Sequence, residues 1–94
     1  EQDGRGEDFI RPVVIIRKFT NEIFWGVPLT KFIKKISEKA ERYYFTFSFI
    51  KDVKSIAILS QIRLIDAKRL SRNIGVVSDK DFAELTRKLK ALMP

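Results

Sequence analysis

"YYFTFSFI", residues Tyr43 to Ile50, decides the fold. In an extended chain Tyr43, Phe45, Phe47 and Phe49 fall on one side and Tyr44, Thr46 and Ser48 on the other. A half-buried β-strand produces that period of two. Three alternating phenylalanines would make a costly exposed patch, so the stripe reads as core rather than as a platform for stacking bases. Downstream, Lys51-Asp52 turns the chain, and the next strand runs from about Lys54 to Ile65. Upstream, Lys31 to Arg42 ("KFIKKISEKAER") puts Phe32, Ile33, Ile36 and Ala40 at helical spacing. It is short, however, and carries five basic residues against two acidic. It reads as a loop with a helical turn.

Further out, "RPVVIIRKF" (Arg11 to Phe19) is β-branched and apolar at its centre, a buried strand entered at Pro12. Thr20-Asn21 signals a turn, and "EIFWGVPLT" (Glu22 to Thr30) completes a hairpin. Gly26 marks a bulge or a close backbone approach, and Pro28 is expected at a sheet edge. "NIGVV" (Asn73 to Val77) reads as a short final strand. Ser78 then caps a helix whose first turn holds Asp79 and Asp81. Phe82, Leu85, Leu89 and Leu92 form its apolar stripe, which docks on the sheet. About five short strands and one terminal helix predict a mainly β fold, a small and strongly bent sheet or barrel.

The chain has 94 residues, too few for two cores, so one domain spanning 1–94 is expected. The longest purely aliphatic run, Val13 to Ile16, is far short of the ~20 residues a membrane helix needs. There is no cysteine and no histidine. That removes disulfides, thiol nucleophiles, the commonest general base and the commonest metal ligand, so no metal or cofactor is expected. The net charge is +7. Glu1, Asp3, Glu7 and Asp8 against Arg5 give the first ten residues −3, leaving +10 on the remainder. Such an excess suits a polyanion or an acidic protein segment.

Four stretches in order carry a resemblance: "EQDGRGEDFIRPVVII", "VPLT", "SIAILSQIRLIDAKRL" and "IGVVSDKDFAELTRKLKAL". Together they resemble the MazF/PemK (Kid) family of type II toxins. The resemblance implies a small SH3-like barrel with a C-terminal helix, usually dimeric. It also implies cytoplasmic, metal-independent, sequence-specific cleavage of single-stranded RNA, often mRNA, with an antitoxin as partner. The RNA's own 2′-OH would attack the phosphate, which accounts for a site built without histidine. The family's first strand, with its Gly-Glu/Asp-x-Trp-x-Val pattern, has no counterpart here, so the domain is expected to be incomplete at its N-terminus.

By the same resemblance Arg11 matches the catalytic arginine of the Arg-Pro step. Its planar fork suits a phosphate, with electrostatic stabilisation as its main role. Thr30 matches the threonine of a Pro-x-Thr element, where a hydroxyl bonds the phosphate or the 2′-OH. A turn threonine bonding its own backbone is the ordinary alternative. Gln61 can read a base edge, and Arg63 and Arg69 can contact phosphates, although a solvated sheet edge explains each as well. Lys31, Lys34 and Lys35 either hold the RNA strand or form a solvated face.

One position departs from the pattern. Some members carry an acidic residue before this Gln and an Arg two positions further back, where this chain has Ser60 and Ile58. The general base therefore stays open between Glu1 and no protein base. Two other readings compete: a non-catalytic protein binder of the CcdB kind, and a degenerate member that binds RNA without cutting it. The chain ends Leu92-Met93-Pro94 rather than in the Trp-Gly-Ile of CcdB. Trp25 and the Ile56–Leu59 run are the apolar candidates for a homodimer face.

Overall fold

A computed structural model describes residues 12–33, 35–70 and 72–93. Five antiparallel strands, β1 (Val13–Lys18), β2 (Ile23–Thr30), β3 (Tyr44–Ile50), β4 (Val53–Ile58) and β5 (Arg63–Asp66), form a curled half-barrel, followed by helix α1 (Asp79–Ala91). The strand order is β1-β2-β4-β3, and β5 pairs with the other half of β2. The mainly β architecture with a terminal helix is the one expected, consistent with a small SH3-like barrel.

β2 organises the sheet. Its outer half, Ile23 to Gly26, pairs with β5, and Leu29 and Thr30 pair with β4. Leu29 faces Ala57 and Gly26 faces Arg63, so three steps along β2 match six along its partner. The three extra residues form a 3-10 turn, Leu59–Gln61. The expected single strand from Lys54 to Ile65 is therefore two strands joined by an inserted turn. Pro28 explains where the break falls. It is buried in the middle of the sheet, not at an edge. The Leu29 N–H bonds Pro12 C=O on the β1 side at 2.9 Å. The missing N–H of Pro28 therefore faces the β4/β5 side, where the turn has opened the ladder.

Gly26, expected at a bulge or a close backbone approach, sits opposite a bulge on β1 and under a close approach by side chains. β1 is bulged at Ile16, where pairing shifts from Ile15–Gly26 to Arg17–Trp25. A side chain on Gly26 would also meet Ile65 Cδ1 at 2.5 Å and Val13 Cγ1 at 2.6 Å.

The core collects Val14, Val27, Leu29, Phe47, Ala57, Leu59, Leu85 and Leu89, with Phe45 and Phe49 packed against it. The Phe stripe is core, as its alternation predicted, with Phe45 and Phe47 stacked at 5.5 Å. Tyr43 belongs to a 3-10 turn, Glu41–Tyr43, and stands outside the strand. Within the Ile56–Leu59 run Ile56, Ala57 and Leu59 are buried within the chain itself, and Ile58 is half-buried. Trp25 is half-buried, edge-on to Phe19 at 6.2 Å.

Ser78 caps α1 as expected, its Oγ accepting the Asp81 N–H at 3.1 Å. Asn73 to Val77 is not a strand. Asn73 Oδ1 accepts the Gly75 N–H at 2.8 Å, a local turn that competes with ladder pairing. The Gly75 backbone lies against the Phe49 ring, closely enough that a Cβ would meet it at 2.5 Å. No described helix is long and apolar enough to cross a membrane.

Candidate functional site

Val27 and Leu29 point into the core, so the alternation of β2 puts Gly26, Pro28 and Thr30 on the opposite face. Arg63, paired with Gly26, shares that face. Thr30 and Arg63 are thus four residues apart along β2, about 13 Å. The turn carrying Gln61 is inserted between them, and Gln61 and Arg63 are both exposed. Lys31 follows Thr30 directly and is exposed, as is Lys35. Arg11 and Lys34 lie outside the described residues, as does Glu1. Pro12, the residue after Arg11 in sequence, is bonded through its carbonyl to Leu29, the residue before Thr30.

Thr30 is half-buried at the end of β2. Its hydroxyl donates to Phe32 C=O at 3.3 Å and accepts the Phe32 N–H at 3.5 Å. This is the ordinary turn geometry for threonine, but both distances are at the outer limit of hydrogen bonding. Exchanging them for an incoming phosphate oxygen or hydroxyl therefore costs little.

Arg69 is not part of this group. It sits in a 3-10 turn, Ala67–Arg69, beyond the end of β5 that faces Ile23. Seven steps of β2, about 23 Å, separate that end from Thr30. Asp66 Oδ1 accepts the Lys68 N–H at 2.9 Å, so its carboxylate serves this turn. Arg69 instead lines a cleft between the sheet and the segment from Leu70 to Val77. Arg63 and Arg72 line the same cleft. Arg72 escaped sequence reading because its run, "RLSRN", has no periodicity that would reveal a shared wall.

Away from this face, Glu84 is paired with Arg87 on α1. The hydrogen bond and charge of Arg87 hold its carboxyl below the usual carboxylate value. Exposed as the pair is, it marks helix chemistry rather than a site.

A model of the family described as "PemK-like, MazF-like toxin of type II toxin-antitoxin system" matches residues 1–93 of the chain. Among individually curated proteins, none matches.

Proposed function

The chain belongs to the PemK-like, MazF-like family of type II toxin–antitoxin toxins, and from that premise we propose that it is a sequence-specific endoribonuclease. Its substrate is single-stranded RNA, and its partner is an acidic antitoxin. The observation that carries the proposal is the Pro12 C=O to Leu29 N–H bond. Arg11 precedes Pro12 and Thr30 follows Leu29, one residue from each end of that bond.

In the proposed reaction the 2′-OH of one nucleotide attacks the adjacent phosphorus. The P–O5′ bond breaks, leaving a 2′,3′-cyclic phosphate and a 5′-OH. The 2′-OH proton leaves to water or to a base, and the departing 5′-oxygen gains one. Arg11 stabilises charge on the phosphate oxygens, and Thr30 releases Phe32 to bond the phosphate or the attacking hydroxyl. Arg63 guides the strand along the face of Thr30, with Gln61 on the turn inserted between them, and Lys31, Lys34 and Lys35, which follow Thr30 in sequence, hold the strand further on. Arg69 engages RNA further along the strand. No metal is assigned a role. The protein works in the cytoplasm as a homodimer.

The test is incubation of the chain with mixed-sequence single-stranded RNA in EDTA, with end-group analysis. Fragments ending in 2′,3′-cyclic phosphate support the proposal. Binding without any fragment would favour a member that holds RNA without cutting it.

A further inference from the structure

Two residues beyond Thr30, Phe32 leaves 73% of its surface open to solvent. A single exposed phenylalanine is ordinary on a protein surface. This one is set apart by where the backbone holds it. The Thr30 hydroxyl donates to the Phe32 C=O at 3.3 Å and accepts the Phe32 N–H at 3.5 Å. Two residues of chain reach at most about 7 Å, so the Phe32 Cα stays within that distance of Thr30.

Several other rings are committed elsewhere. Phe45, Phe47 and Phe49 belong to the core, and Gly75 lies against the last of them. The Arg42 guanidinium sits over the Tyr43 ring at 5.0 Å. Phe19 is exposed, but it meets Trp25 edge-on at 6.2 Å and bonds Ile23 at the far end of β2. Around Phe32 the charge is basic: Lys31 and Lys35 are exposed on either side of it, and Arg63 shares the face of Thr30. Cations beside an open ring suit a single nucleic-acid strand, because the charges follow the phosphates while the ring takes a base. A lipid surface would need a broader apolar face, and Ile33 and Ile36 are half-buried.

We propose that Phe32 is a base-binding residue, stacking on the nucleobase beside the scissile phosphate and so setting which nucleotide stands at Thr30. The proposal rests on the reading of Thr30 as the group at the reacting phosphate. It adds an aromatic contact to a face otherwise described by charges and hydroxyls.

The test measures affinity of the full chain for two strands. One is a mixed-sequence RNA dodecamer methylated at every 2′-oxygen, which cannot be cut, and the other is a dodecamer of the same backbone without bases. Phe32→Ala weakens the base-bearing strand by about five- to 150-fold, the worth of one stacked base. Phe32→Leu, apolar but without a π-face, stays weak, and Phe32→Trp binds at least as well as the parent. Affinity for the baseless strand and the melting temperature stay at parental values in Phe32→Ala, because the Thr30 bonds are to the backbone of residue 32. Parental affinity in Phe32→Ala, an equal loss on the baseless strand, full binding by Phe32→Leu, or a ring needed only for capture by anionic vesicles would overturn the proposal. If the parent still cuts unmodified RNA in EDTA to cyclic-phosphate ends, any of these results removes the stacking role and leaves the nuclease reading standing. No binding of the base-bearing strand by the parent would overturn both.

Discussion

The Lys88 ammonium on α1 donates to the backbone carbonyl of Tyr44 on β3 at 2.7 Å, joining helix and sheet across forty-four residues of sequence. β3 is an outer strand of the sheet, and this bond gives one of its carbonyls a partner that the ladder does not supply. Lys88 also lies half-buried between Leu85 and Leu89, the two buried leucines of the helix.

Lys88→Met is therefore expected to destabilise the fold while keeping the apolar stem. A hydrogen bond to a charged group contributes about 1.5–3 kcal/mol, and partial exposure here puts the expectation near the lower end. Thermal unfolding would show a melting temperature lower by roughly 4–8 °C for each ~1 kcal/mol. An unchanged melting temperature would show that the helix is held by its leucines alone.

Gly26→Ala is expected to cost about 1–3 kcal/mol, because the added methyl enters space already taken by Ile65 and Val13. Both obstacles are side-chain tips, so repacking is possible, and urea titration measures how far it goes. A midpoint at or above that of the parent chain would contradict the close packing of β1 and β5 across β2.

Elements defined by local periodicity were legible in the sequence: the Phe45–Phe49 stripe, the hairpin around Thr20-Asn21, and the Ser78-capped helix. What escaped depends on pairing at a distance. No Gly, Pro or Asn marks the turn at Leu59–Gln61, because the break is imposed from the neighbouring strand by Pro28 and the change of partner along β2. Val76 and Val77 look like a strand by residue type, but the Asn73 turn and the Phe49 contact take their backbone elsewhere. The group of Thr30, Gln61 and Arg63 was foreseeable from motif order. The removal of Arg69 to the far end was not, since it follows from the direction in which β5 runs.

Asp52 has φ of 63°, in the left-handed region, at the turn between β3 and β4. Asp52→Gly is expected to be neutral or stabilising by up to about 1 kcal/mol, while the β-branched Asp52→Val should lose about 1–3 kcal/mol. Denaturant midpoints of the two variants give the comparison. Equal stability of both would remove the conformational argument.

Binding of RNA should be strongly salt-dependent. If the strand spans three or four of Arg11, Arg63, Arg69 and the Lys31–Arg42 loop, log affinity falls against log salt with a slope of roughly −2 to −3, at about −0.7 per phosphate. Titrating a labelled oligonucleotide at several salt concentrations measures it. A flat response would exclude a basic groove.

The most direct test of the functional account is the single-turnover cleavage rate of Arg11→Ala and of Thr30→Val, each compared with the parent chain in EDTA. Losing one preorganised group that stabilises developing charge typically costs about 10² to 10³ in rate. The account predicts losses of that size in both variants, with melting temperatures close to the parent's. Near-parental rates in both would contradict it and place the chemistry away from the Pro12–Leu29 junction.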